Sequence, residues 1–97
     1  MQVSVRFFTV LREITGEKEE TLQLPEDEKI TLNIVLKKLS QKYGKAFAEY
    51  VYDSETREVK GFLQFFINGK SASTLKGVQT ELRAGDTIAI VPPVGGG

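Results

Sequence analysis

The chain opens with Val3, Val5 and Phe7 alternating with Ser4 and Arg6, the period-two pattern of a strand that buries one face. Val10 to Ile14 predicts a single helical turn before Gly16, and alternation resumes over Glu20–Leu24 until Pro25 stops it. Two strands so close together predict an antiparallel hairpin with a wide connection. The clearest helix follows. Leu32, Val35, Leu36, Leu39 and Tyr43 fall within an arc of about 100° when each residue advances about 100°. Thr31 suits the N-cap, with Ile30 and Val35 at the positions of a hydrophobic staple. Gly44 stands where a left-handed residue would end the helix. Ile34 falls off the stripe and has no evident burial partner.

Ala46 to Tyr52 has the spacing of a second, short helix, and the charged run Asp53 to Lys60 reads as an exposed loop. Leu63, Phe65 and Ile67 share one face of a third strand that ends in the turn signal Asn68-Gly69. Leu75, Val78 and Leu82 are the expected apolar anchors of the mixed segment 70–82. Thr87–Val91 is the last strand, stopped by Pro92-Pro93. The first and last strands are the most apolar, so they should lie side by side and parallel at the centre of a mixed sheet. The predicted class is α+β, with four to five strands and one main helix packed on one face. Residues 1–93 form the domain and 94–97 a flexible glycine tail.

Ninety-seven residues suffice for one hydrophobic core. Thirteen basic and thirteen acidic side chains cancel, which removes the electrostatic footprint of a nucleic-acid binder. No stretch approaches the ~20 apolar residues of a spanning helix, and no basic segment precedes an apolar run as in a secretory signal. The expectation is a cytoplasmic protein with neither nucleic acid nor membrane as partner. Cysteine and histidine are both absent, so thiol nucleophiles, thiolate zinc sites and the commonest general base are unavailable and no metal site is expected. Glu13, Glu17, Glu19 and Glu20 are the nearest approach to a catalytic acid cluster, but they fit a solvated hairpin. Gly69-Lys70-Ser71 echoes a phosphate-binding loop, yet Gln64 stands where that motif requires glycine. No catalytic residue is assigned.

Charge is nevertheless segregated. Residues 13–28 hold seven acids and one lysine, and residues 29–45 hold five lysines and no acid. Solvated flanks and helix-dipole complementarity account for this more simply than partner steering does.

The end of the chain carries the most specific signal. Pro92, Pro93, Val94, Gly95, Gly96 and Gly97 follow directly on a core strand. Two prolines end hydrogen bonding to the sheet, and glycine supplies a backbone thin enough for a narrow channel. A folded body with such a tail suits presentation of the Gly97 carboxylate to another protein's active site. Glycine loses the most entropy on ordering, so the body must supply binding energy. Phe8, Phe66, Ala89 and Val91, placed by alternation on the face opposite the helix, are the candidate docking patch.

Leu82-Arg83-Ala84-Gly85-Asp86 followed by Ile88-Ala89-Ile90-Val91-Pro92-Pro93-Val94-Gly95-Gly96-Gly97 resembles the C-terminal signature of the ubiquitin-like sulfur carriers. Val5-Arg6-Phe7-Phe8-Thr9-Val10-Leu11-Arg12-Glu13 is similar to the N-terminal motif of that family. The likeness is greatest to the molybdopterin synthase small subunit (MoaD type) and the small archaeal modifiers. The resemblance implies a ubiquitin-like β-grasp fold and no intrinsic catalysis. It also implies adenylation of Gly97 by a ubiquitin-activating-type enzyme that supplies the ATP and magnesium site. The activated carboxyl would then become a thiocarboxylate working with the large subunit of molybdopterin synthase, or be conjugated to lysines of target proteins. A non-conjugating β-grasp binding module is the alternative.

Overall fold

The computed structural model describes residues 1–92. The elements run β1 (Gln2–Phe7), α1 (Val10–Thr15), β2 (Glu19–Gln23), α2 (Leu32–Tyr43), α3 (Lys45–Val51), β3 (Gln64–Ile67), β4 (Lys70–Ser71) and β5 (Thr87–Val91). The five strands form one sheet in the order β2-β1-β5-β3-β4. β1 and β5 are parallel neighbours, and the other pairings are antiparallel. This is the arrangement that the apolar first and last strands predict.

Alternation decides which face is wet. Val3, Val5 and Phe7 of β1, Phe65 and Ile67 of β3, and Ile88 and Ile90 of β5 are buried. They meet Leu32, Val35, Leu36 and Leu39 from α2, the stripe that the periodicity marks. At one end of this core Phe7 stands edge-on to Tyr43 and Phe47, with ring centroids 5.9 and 6.3 Å away. Such edge-to-face pairs add to plain area burial. Ile34 is half-buried and packs against the same core, which supplies the partner that the sequence leaves open.

The caps are specific. The Thr31 hydroxyl accepts the Ile34 N–H at the start of α2, and Ile30 is buried beside it. Gly44 departs from expectation: its φ of 82° is positive but its ψ of −158° lies outside the left-handed helical region. The cause is that α3 begins at once. Gly44 N–H donates to Ser40 while its carbonyl accepts from Ala48, so a single residue serves two helices. That backbone region is essentially reserved for glycine.

Two loops are more ordered than their composition indicates. Asp53 to Lys60 folds back on itself: Asp53 exchanges backbone hydrogen bonds with Arg57 and Glu58, and Tyr52 bridges to Val59. The Asp53 carboxylate accepts the N–H groups of Glu55 and Thr56 at 2.8 and 3.1 Å. These bonds, Thr56 foremost, hold its pKa below the usual carboxylate range. In segment 70–82 Leu82 is buried and Val78 half-buried, but Leu75 is 45% exposed and does not anchor the loop. Polar groups do this instead. The buried Thr80 hydroxyl accepts the Lys76 N–H, and backbone bonds Leu32 to Thr80 and Leu82 to Ile30 strap the segment to the start of α2.

Asn68 and Gly69 have φ of 52° and 83°, the double positive φ of a two-residue hairpin turn joining β3 to β4. The Asn68 side chain donates to Asp86 and accepts the Thr87 N–H, fixing the turn to the start of β5. Gly69-Lys70-Ser71 is therefore hairpin, as its missing glycine predicts.

Candidate partner-binding face

The outer face of the sheet, away from the helices, gathers the four predicted docking residues. Phe66 and Ala89 are directly paired across β3 and β5, and Ala89 pairs with Arg6 across β5 and β1. Arg6, Ala89 and Phe66 thus form one row. Val91 pairs with Gln64 in the next row, and Phe8 follows the Phe7–Ile90 pair at the same level. All four predicted residues are half-buried, and Gln64 beside them is exposed. Phe66 and Gln64 also line a shallow groove of ≈ 470 Å³ together with Ser71 and Ser73.

Phe8 is held by its neighbours. It leaves β1 at a corner where Thr9 adopts φ 46° and ψ −115°. A β-branched residue with positive φ is an outlier that the surroundings must enforce. The Leu11 and Arg12 N–H groups donate to the carbonyls of Phe8 and Thr9, and Arg12 Nε donates to the carbonyl of Phe7 at 2.9 Å. The guanidiniums of Arg12 and Arg6 lie 5.5 and 5.9 Å from the Phe8 ring centroid, within cation–π range. The face is therefore apolar at its centre and cationic along the Phe8 side, with Glu19 opposite Arg6 in the β1–β2 register at its rim.

Sequence reading did not mark Arg6 and Arg12 as part of this site. For Arg6 the signal was present, since alternation puts it on the same face as Phe8. For Arg12 none was, because its position depends on the tight Thr9 corner.

Pro92 is half-buried immediately after β5. Pro93, Val94, Gly95, Gly96 and Gly97 lie outside the described residues. Among the described residues no three His, Cys, Asp or Glu side chains converge as metal ligands, and no helix is long and apolar enough to cross a membrane. Tyr43 and Tyr52 have raised pKa values, through burial in both and secondarily through the Glu17 charge at Tyr43. Both stay protonated at neutral pH and offer no base.

Comparison with known proteins adds to this geometry. Residues 5–97 match the ThiS family. Small archaeal modifier protein 3 of Haloferax volcanii is 32% identical over 97 residues, covering 100% of each chain. A putative sulfur carrier protein of Archaeoglobus fulgidus is 37% identical over 70 residues, 72% of this chain and 77% of that one. Among solved structures, small archaeal modifier protein 1 of Methanosarcina acetivorans superposes with a TM-score of 0.81 at 30% identity, over 99% of this chain and 96% of the other.

Proposed function

This chain belongs to the ThiS family, and we propose that its working group is the Gly97 carboxylate, activated in the site of a ubiquitin-activating-type enzyme. The protein is a β-grasp sulfur carrier and small archaeal-type modifier, not a catalyst. A carboxylate is a poor electrophile because oxide would have to leave. Attack of the carboxylate on the α-phosphorus of ATP, with magnesium bound in the activator, releases pyrophosphate and leaves an acyl adenylate. Hydrosulfide then displaces AMP to give the thiocarboxylate, or a lysine amine does so, directly or through a thioester, to give an isopeptide.

The carrying observation is that the family match runs through residue 97, so the Val94–Gly97 tail belongs to the matched region. Recognition falls to the outer face, because glycines offer few contacts to offset their ordering. Phe8, Phe66, Ala89 and Val91 supply a contiguous apolar surface for the activator, and Pro92 to Gly96 the stalk. On the sulfur route the same surface serves the large subunit of molybdopterin synthase. On the conjugation route it is released when the tail reaches a target lysine.

Deleting Gly96 and Gly97 should abolish ATP–pyrophosphate exchange with the cognate activating enzyme while leaving the thermal midpoint unchanged. Exchange that survives the deletion overturns the assignment. Mass spectrometry of protein from its native cell separates the routes: sulfur in place of one terminal oxygen marks sulfur delivery, and a branched Gly-Lys peptide marks conjugation.

A further inference from the structure

The helical side of the molecule carries an open groove of ≈ 1230 Å³ between α2, α3 and the 53–60 hairpin. Lys37, Lys45, Arg57 and Lys60 line it, together with Glu49 and Asp53. The two acids are already engaged. Glu49 pairs with Lys45 at 3.6 Å, and the Asp53 carboxylate is committed to the backbone of its own turn. Among the described residues no ion pair reaches Lys37, Arg57 or Lys60. Arg57 is held there with φ 64°, a left-handed conformation costly for this residue and enforced by the hairpin bonds to Asp53. Tyr52 also lines the groove as a half-buried side chain.

We infer that this groove binds an acidic peptide segment of a partner protein, on a surface separate from the outer sheet face. The cations come from three elements, and the volume exceeds the roughly 300–1,000 Å³ of small-molecule pockets. A single small anion would leave most of it empty. The chain has no net positive charge to draw in a continuous phosphate backbone. A peptide with spaced carboxylates and intervening apolar side chains fits both the cations and the Ala48 surface between them. Because α2 and α3 cover the inner face of the sheet, such a segment can be held while the outer face is occupied.

Fluorescence anisotropy with the full chain and a fluorescein-labelled octapeptide alternating Glu or Asp with Leu tests this. Lys37→Glu and Arg57→Asn should each weaken binding on the order of tenfold, and Lys70→Glu on the far edge strand should change it by less than about twofold. Asparagine tolerates the left-handed backbone, so the turn survives loss of the Arg57 charge. Affinity should fall as salt is raised from about 0.05 to 0.5 M. Absence of saturable binding, equal weakening by Lys70→Glu, or equally tight binding of an eight-nucleotide oligothymidylate overturns the proposal.

Discussion

Arg12 holds Phe8 by its ring and by the peptide before it: its guanidinium lies 5.5 Å from the Phe8 ring centroid, while its Nε donates to the carbonyl of Phe7. One side chain from a six-residue helix therefore fixes both the backbone and the ring at the edge of the outer face. The contact is worth about 0.5–1 kcal/mol at an exposed site, enough to bias a ring but too little to hold a fold.

Phe8→Ala and Val91→Asp should accordingly weaken binding to the activating enzyme far more than they destabilise the domain. A half-buried aromatic anchor at an interface commonly costs about 2 kcal/mol or more on truncation, roughly thirtyfold in affinity. Calorimetric titration alongside thermal melts checks this, and unchanged affinity removes the outer face from the binding surface.

Arg12→Ala should produce a smaller loss of the same kind, about threefold to fivefold in affinity, by freeing the Phe8 ring rather than removing it. Combining it with Phe8→Ala should give less than the sum of the two, since both act through one ring. A double-mutant cycle measured by titration reads this directly.

Thr9→Gly should stabilise the protein. Relief of the positive-φ strain gains about 1–3 kcal/mol, against an unfolded-state entropy cost of about 0.4–1 kcal/mol. A raised thermal midpoint is the expected result. A lowered one would mean that the Thr9 side chain contributes more than its backbone costs.

The Asp53 hairpin should loosen in acid. Its carboxylate is held below its ordinary value of 3.8 by the Thr56 and Glu55 N–H groups, aided by Lys60. A depressed folded pKa contributes stability above the unfolded pKa that is lost as pH falls through the folded one. Amide exchange at Glu55 and Thr56 should therefore accelerate only below about pH 4, beyond the intrinsic pH dependence. Asp53→Asn should abolish that transition, and a pH-independent protection factor would contradict the assignment.

Phe47→Ala should remove a large part of the domain's stability. The ring is fully buried against Phe7 and Tyr43, and such truncations cost about 3–5 kcal/mol of a typical 5–15. Denaturant melts measure it.

What could be read in advance follows from periodicity. Alternation in β1, β3 and β5 sorted inner from outer residues correctly, because a one-residue slip would have put Phe7 or Ile90 in water. The α2 stripe and the Thr31 cap were legible for the same reason: local spacing alone determines them. Where stability comes from polar stitching, hydrophobic pattern misleads. Leu75 looked like an anchor, but Thr80 and two backbone bonds hold that loop. Gly44 reads as an ordinary left-handed helix end because the spacing starts the second helix at Ala46, one residue late, and so hides that a single residue serves both helices. The Arg12 clamp and the basic groove depend on turns at Thr9 and Arg57, whose conformations no propensity foretells.

The central position of β5 also sets a condition on synthesis. As the last of the five strands to be made, it must slot between β1 and β3, which are neighbours only through it. A product that stops short of β5 leaves open edges on β1 and β3 and takes Ile88 and Ile90 out of the core, a target for degradation. Folding thus acts as a check that the chain has been made at least through β5.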